Sequence, residues 1–274
     1  MQSKQHTRII TLSLCLLAIG CGDGGARSHK VPWGDGRAEV ISTDRTISTF
    51  APIAGDGCLD YEGASKDVCI RPQDVCGEEA ADVILDERGE VLDVICYPNE
   101  ETVTVDEIEA EQGNIAQSDN NAVLVLDDVD DGIDLEGNLD VDANNVVIYG
   151  AGPDVSVISG DVTVDGNNTL IRGVRIQGDV NVVKNDSVFV YCVIEGNLTI
   201  SANNTQLLGC DVFGDIRITG NNTELAADRI AGKIENDGKN LSCDSNRSFE
   251  DRDENMTVSD EELGETIECG VKKD

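Results

Sequence analysis

The stretch from Gly160 to Phe249 reads GDVTVDGNNTLIRGVRIQ (160–177), GDVNVVKNDSVFVYCVIE (178–195), GNLTISANNTQLLGCDVF (196–213), GDIRITGNNTELAADRIA (214–231) and GKIENDGKNLSCDSNRSF (232–249). Each line holds eighteen residues and opens on glycine. Four columns are apolar: Val162, Val180, Leu198, Ile216, Ile234; Val164, Val182, Ile200, Ile218; Ile171, Phe189, Leu207, Leu225; and Ile176, Ile194, Val212, Ile230. Polar residues alternate with them, the period-2 signature of strands with one buried face. A further column, Asn168, Asp186, Asn204, Asn222 and Asn240, holds residue types that tolerate left-handed backbone and can hydrogen-bond along a stack. Eighteen residues are too few for a βα repeat. They suffice for one coil of three short strands, stacked in parallel at about 4.8 Å per level.

Two earlier lines, opening at Gly113 and Gly137, keep this register and then lengthen in LDDVDDGID (126–134) and GAGPDVS (150–156). Insertions confined to one place in the repeat predict loops on one side of a solenoid. The segments NNTLIRGVRI (167–176) and IYGAGPDVSVISG (148–160) resemble coils of right-handed parallel β-helices of the pectin-lyase-like type, over residues 113–249. The resemblance implies an all-β fold of roughly seven coils. Left-handed hexapeptide β-helices use the same coil length, but their aliphatic-glycine hexad is absent here. In the last line Asn236 and Ser248 interrupt the apolar columns, so the core closes there. Residues 250–274 are then expected to fold over the open end as an acidic C-terminal cap, because an uncovered β-helix end recruits other chains.

At the other terminus, Lys4 and Arg8 precede an apolar run from Ile9 to Ile19 that is too short to span a bilayer. The run ends in LAIGC (17–21), which resembles the lipobox of bacterial lipoproteins, with Ala18 where leucine is usual. The resemblance makes residues 1–20 a signal peptide and Cys21 the lipidated, membrane-anchoring residue. Gly22 after it implies the outer membrane or cell surface of a Gram-negative bacterium. Residues 21–57, rich in glycine and polar residues, are expected to form a flexible tether. Residues 58–112 form a small Cys-rich module, in which DVILDERGEVLDVICYP (82–98) predicts a hairpin turning at Glu87 to Gly89.

Setting aside Cys15 and Cys21 leaves eight cysteines, an even number in an exported chain, which predicts disulfides over metal or redox chemistry. Cys58, Cys69, Cys76 and Cys96 are candidates to staple the small module. Cys192 and Cys210 share a column on adjacent levels, where the stacking distance suits a disulfide or, equally, a buried thiol stack. A Cys243–Cys269 bond would pin the tail.

The formal net charge of −34 removes nucleic acid from the partners. The two histidines, His6 and His29, lie in the signal and the tether, which leaves no Ser-His, Cys-His or His-metal chemistry. A cation is the more natural ligand. In DRDENMTVSDEE (251–262), Asp251, Asp253, Asn255, Thr257, Ser259 and Glu262 match the liganding positions of an EF-hand Ca²⁺ loop, with Met256 in place of its glycine. The competing reading is a solvated tail with a capping box at Ser259 and Glu262. Asp127, Asp128, Asp130, Asp131 and Asp134 crowd a second acidic loop. Outward charges on the coils, Asp179, Asp215 and Arg217 near one strand and Arg175, Asp211 and Arg229 in another column, form no cluster of several Asp facing an Arg. Asp211 and Arg229 read as an ordinary cross-strand ion pair. The expectation is therefore a non-enzymatic scaffold for binding or adhesion at the cell envelope, with a glycan or an envelope protein as partner. The alternative is a carbohydrate-active, polysaccharide-lyase-like enzyme.

Overall fold

The computed structural model describes residues 134–269, except 151 and 254, together with residue 120 and strands over 27–28, 38–41, 47–50, 80–85, 91–97, 114–117 and 123–126. It is an all-β chain whose central part is a parallel β-solenoid of about five turns of 18 residues, following two longer levels. Three sheets form its walls. The first stacks Asn114–Gln117, Asn138–Val141, Val162–Val164, Val180–Val182, Leu198–Ile200, Ile216–Ile218 and Ile234–Asn236. The second runs from Val123–Leu126 through Val147–Gly150, Leu170–Arg172, Val188–Val190, Gln206–Leu208 and Glu224–Ala226 to Ser242–Asp244. The third starts at Asp134–Leu135, continues through Val157–Ile158, Arg175–Ile176, Val193–Ile194, Asp211–Val212 and Arg229–Ile230 to Arg247–Phe249, and ends on Leu263–Thr266. Every neighbouring pair in the solenoid is parallel and in register except the last, where Leu263–Thr266 runs antiparallel to Arg247–Phe249.

The register is the one that the repeat predicts. Val162 pairs with Val180, Val180 with Leu198, Leu198 with Ile216 and Ile216 with Ile234. All four apolar columns merge into one core, in which Val164, Phe189, Leu207 and Ile194 are fully buried. The interruption at the last level also has its expected effect, since Ile234 and Cys243 are only partly buried. The glycine that opens each line stands where successive coils touch. A Cβ on Gly196 would lie 2.4 Å from the carbonyl oxygen of Gly178, and one on Gly214 would lie 2.3 Å from that of Gly196. A larger residue would force the coils apart.

The Asn column is a continuous left-handed turn. Asn145, Asn168, Asp186, Asn204, Asn222 and Asn240 have φ between 57° and 64°. Their side chains hydrogen-bond from level to level, Asn204 to Asp186, Asn222 to Asn204 and Asn240 to Asn222 at 2.8–2.9 Å. A second ladder runs through the preceding residues, in which Asn203 donates to Asn185 and Asn221 to Asn203. The first ladder is interrupted below Asp186, whose carboxylate has no N–H to give Asn168.

The other corners carry ladders that the repeat did not announce. Asp161, Asp179, Asn197 and Asp215 each accept, through side-chain Oδ1, the backbone N–H of the equivalent residue one coil on, ending at Lys233. This is the role of Asp179 and Asp215, two of the outward charges noted above. The third corner runs in the opposite sense: the Cys210 amide donates to Asp228 at 2.7 Å and the Asp228 amide to Asn246 at 2.8 Å. Its lower rung is the Cys192 amide on the Cys210 sulfur at 3.4 Å. Cys192 and Cys210 thus carry thiols and not the disulfide offered as one candidate pairing. The Cys192 thiol is turned to the carbonyls of Ile171 and Val190, and the Cys210 sulfur accepts an amide. Burial, with Cys192 and Asp228 alongside, pushes the Cys210 thiol well above its ordinary value. Cys243 and Cys269 are disulfide-bonded, with Cα atoms 5.6 Å apart.

A separate five-stranded sheet is ordered Arg27–Ser28, Val91–Tyr97, Ala80–Leu85, Ala38–Ile41, Ile47–Phe50. Its centre is the predicted hairpin, with Val83 opposite Val94. Residues 21–57, expected as a tether, contribute three of the five strands; their AEVI and ISTF segments carry the short apolar alternation of a strand. Cys21, Cys58, Cys69 and Cys76 lie outside the described residues, and of Cys96 the structure gives its place in the strand Val91–Tyr97.

Replacing Asn204 by Leu removes two rungs and puts a branched side chain into left-handed backbone, so unfolding stability should fall by about 1–2 kcal/mol. Asp186→Asn supplies the missing donor and should raise it by about 0.5–1 kcal/mol. Calorimetric melting of both variants checks the pair; equal melting points in all three proteins would show that the ladder carries no net stability.

Candidate functional site

The charged column of the third sheet and the tail build one site between them. Asp211 and Arg229 lie opposite each other on adjacent strands. The guanidinium grips the carboxylate with two parallel hydrogen bonds, from Nε at 2.6 Å and from Nη2. Both side chains are less than a tenth exposed, so this is a desolvated ion pair and not the surface rung expected from the sequence. Two levels below Asp211, Arg175 donates to Glu195 and to the carbonyl of Pro153, both at 3.0 Å.

The remaining N–H groups of the two arginines reach the tail. Arg175 Nη1 donates to the carbonyl of Met256 at 3.0 Å, and Arg229 Nη1 to that of Val258 at 3.3 Å. Alternate carbonyls of the tail are therefore clamped to the solenoid wall, on either side of Thr257. Between wall and tail is a cleft of about 230 Å³, lined by Asp154, Arg175, Tyr191, Asp211, Arg229 and Thr257 among others. Nothing local could have announced this contact, because Arg175 and Met256 are 81 residues apart.

The clamped segment is the loop singled out as a Ca²⁺ candidate. Asp251 accepts the amides of Asn255 and Met256, each at 3.2 Å. Asn255 Nδ2 donates to Asp253 at 2.8 Å. Met256, at the place of the EF-hand glycine, has φ 56° and so takes the left-handed turn that a glycine would make there. Carboxylate oxygens of Asp251, Asp253 and Glu262 come within 4.8 Å of one another. Glu262 accepts the amides of Arg252 at 2.8 Å and Ser259 at 3.0 Å, which holds its carboxyl below the usual carboxylate range. The expected capping box is present as well, closing the 3₁₀ turn Asp260–Glu262. The two sequence readings of this segment thus coexist in one loop. Carboxylates at positions one, three and twelve converge, Ser259 Oγ donates to Glu262 at 2.9 Å, and Thr257 Oγ1 donates to Asn255.

Of the other sequence candidates, Asp134 opens the third sheet, and Asp127, Asp128, Asp130 and Asp131 lie outside the described residues. Arg217 faces Glu235 and Asp237 at 3.7 Å and 3.9 Å on the exposed first sheet. Among the described residues no helix is long and apolar enough to cross a membrane. No protein-family model, no curated protein and no solved structure matches the chain.

Arg229→Ala should strand a buried Asp211 carboxylate and release Val258. The expected loss is about 3 kcal/mol of stability, the cost of breaking a buried pair from one side. Limited proteolysis should then cut within 250–262 before the coils melt; a tail as resistant as wild type would show that the clamp does not hold it.

Proposed function

We propose that this chain is a non-enzymatic surface lipoprotein whose right-handed parallel β-helix is a rigid scaffold for binding or adhesion at the cell envelope. Lipid on Cys21 attaches it to the outer membrane. The observation that carries the reading is the outward side of the first sheet. Thr163, Asn181, Thr199, Arg217 and Glu235 form one strip of exposed and half-exposed polar side chains, one per level. A flat strip repeating at about 4.8 Å matches an extended partner of repeating chemistry, such as a glycan strand or an envelope protein. Right-handedness follows from the general rule for parallel strands joined by crossovers. The tail, bonded through Cys269 and paired through Leu263–Thr266, serves as the cap of the coil stack.

The charged groups of the cleft favour this reading over a carbohydrate-active enzyme. Arg175, Asp211 and Arg229 are committed to ion pairs and to holding the tail. A glycosidase or lyase needs its acid and base directed at substrate.

In the same reading, the tail loop takes Ca²⁺ through Asp251, Asp253 and Glu262, with Asn255, Thr257 and Ser259 completing the set. Each carboxylate oxygen that accepts an amide retains a second lone pair for the ion. With Met256 and Val258 turned to the arginines, the cation would tie the tail more tightly to the wall.

Two measurements test these assignments. Cys21→Ser should leave the protein in the soluble fraction after cell lysis, whereas a mutant still recovered with membranes overturns the anchor. Excess Ca²⁺ should raise the melting point of the full chain relative to EDTA, because a ligand that binds only the folded state stabilises it. Asp251→Asn should abolish the rise, and identical melting in Ca²⁺ and EDTA removes the cation from the proposal.

A further inference from the structure

The second sheet buries a set of apolar residues that do not belong to the solenoid interior. On its strands from Val147–Gly150 to Glu224–Ala226 one residue enters the core, as Ile148, Ile171, Phe189 and Leu207 do. By strand alternation their neighbours lie on the outward side. Yet Leu170, Val190 and Leu208 are 0% exposed, and Tyr149, Arg172 and Val188 are 1% exposed. An outward position does not by itself hide a side chain on this fold, since Asn181 and Arg217, outward on the first sheet, are exposed. The outward side of the second sheet therefore has another layer against it. Arg172 fits such a setting: its guanidinium lies 4.5 Å from the Tyr149 ring and donates to the carbonyl of Gly150 at 3.3 Å. Stacking of this kind gains strength where water is excluded.

Among the described residues, one element has a matching face. In the five-stranded N-terminal sheet, Ala38 pairs with Ala81 and with Phe50, Val40 with Val83, and Val83 with Val94. Alternation puts these six positions on one side of the sheet. The other side mixes Glu39, Thr49, Asp82 and Asp93 with Ile41, Ile47, Ile84 and Ile95, whereas the first side carries no charged residue. An apolar face without charge has to be buried against another layer. The dimensions agree too, because five strands are about 19 Å across and the covered patch runs over five levels of the second sheet, from Val147 to Ala226. The tail, which covers the third sheet, is already engaged there through Met256 and Val258.

We infer that the N-terminal sheet docks face to face on the outer side of the second sheet, so that one wall of the solenoid is also half of a β-sandwich. Packed sheets of this kind lie about 10 Å apart. The N-terminal region is then a lateral layer of the scaffold and neither a free tether nor a cap on the end of the coils. One consequence rests on the lipid attachment proposed above, whereas the docking itself does not. Only residues 22–26 separate Cys21 from the first strand, so the rod is held within about 20 Å of the bilayer.

The test uses the full chain. Val190→Asp places a charge in the contact, and hydrogen exchange of strands 80–85 and 91–97 should accelerate by about tenfold or more while coils 196–249 keep their protection. Asn181→Asp, outward on the first sheet, should change neither. If the N-terminal strands of Val190→Asp exchange at the wild-type rate with the coils intact, the inference is overturned. Should that variant fail to fold, Tyr149→p-benzoylphenylalanine answers the same question on an aromatic of similar shape. Irradiation should give an intramolecular crosslink to residues 27–97. Crosslinking to a second copy, or none to residues 27–97, overturns the docking.

Discussion

A coil of eighteen residues cannot bury its own apolar side chains; only the coil above and the coil below can do so. The structure therefore depends on in-register parallel stacking, which brings Val180 onto Leu198 and Phe189 onto Leu207 and repeats at every level. Because strands alternate sides with period two, a slip of one residue would turn an apolar column outward. The aliphatic columns consequently fix the register as well as supplying most of the burial. The narrow glycine corner enforces the same spacing, since it admits no Cβ between one coil and the next.

What the stacking leaves unpaired are the amides at the corners, and the three corners solve this differently. At the Asn corner, side-chain oxygens accept the backbone amides of the next coil, and Nδ2 groups add rungs from side chain to side chain. At the Asp161–Asp215 corner, side-chain oxygens accept backbone amides, and an acceptor alone is enough there. The third corner is buried, and its residues change from thiols at Cys192 and Cys210 to Asp228 and Asn246 at the end. This division accounts for part of the large negative charge of the chain, because aspartates at these positions are structural acceptors. It also explains why a carboxylate is well placed at Asp179 but interrupts the ladder at Asp186.

The outer sides of the three walls follow from what each must meet. The first wall is polar and open, and strands such as Val180–Val182 and Ile216–Ile218 alternate buried and exposed residues. The second is apolar and covered from Val147–Gly150 to Gln206–Leu208, strands that are buried throughout. The third pairs its charges and receives the tail. A regular interior thus supports three dissimilar surfaces, and the differences lie in residues that the core does not constrain.

The coil, its register, the left-handed Asn turn and the closing of the core near Asn236 were all legible in the sequence, because each is a local pattern repeated at fixed spacing. The hairpin at 80–97 and the convergence of Asp251, Asp253 and Glu262 were legible for the same reason, being set by short-range turn geometry. Strand pairing of residues 38–50, the desolvation of Asp211 and Arg229 and the clamping of Met256 and Val258 were not. These depend on which distant segments meet, and no periodicity records that. The choice of thiols at Cys192 and Cys210 belongs with them, since column position allowed either state and the corner ladder decided between them. The sequence by itself determined the solenoid, whose contacts are between neighbouring repeats. Tertiary structure alone decided what lies on its walls, since burial there is set by the layer packed against each face and not by the strand that presents it.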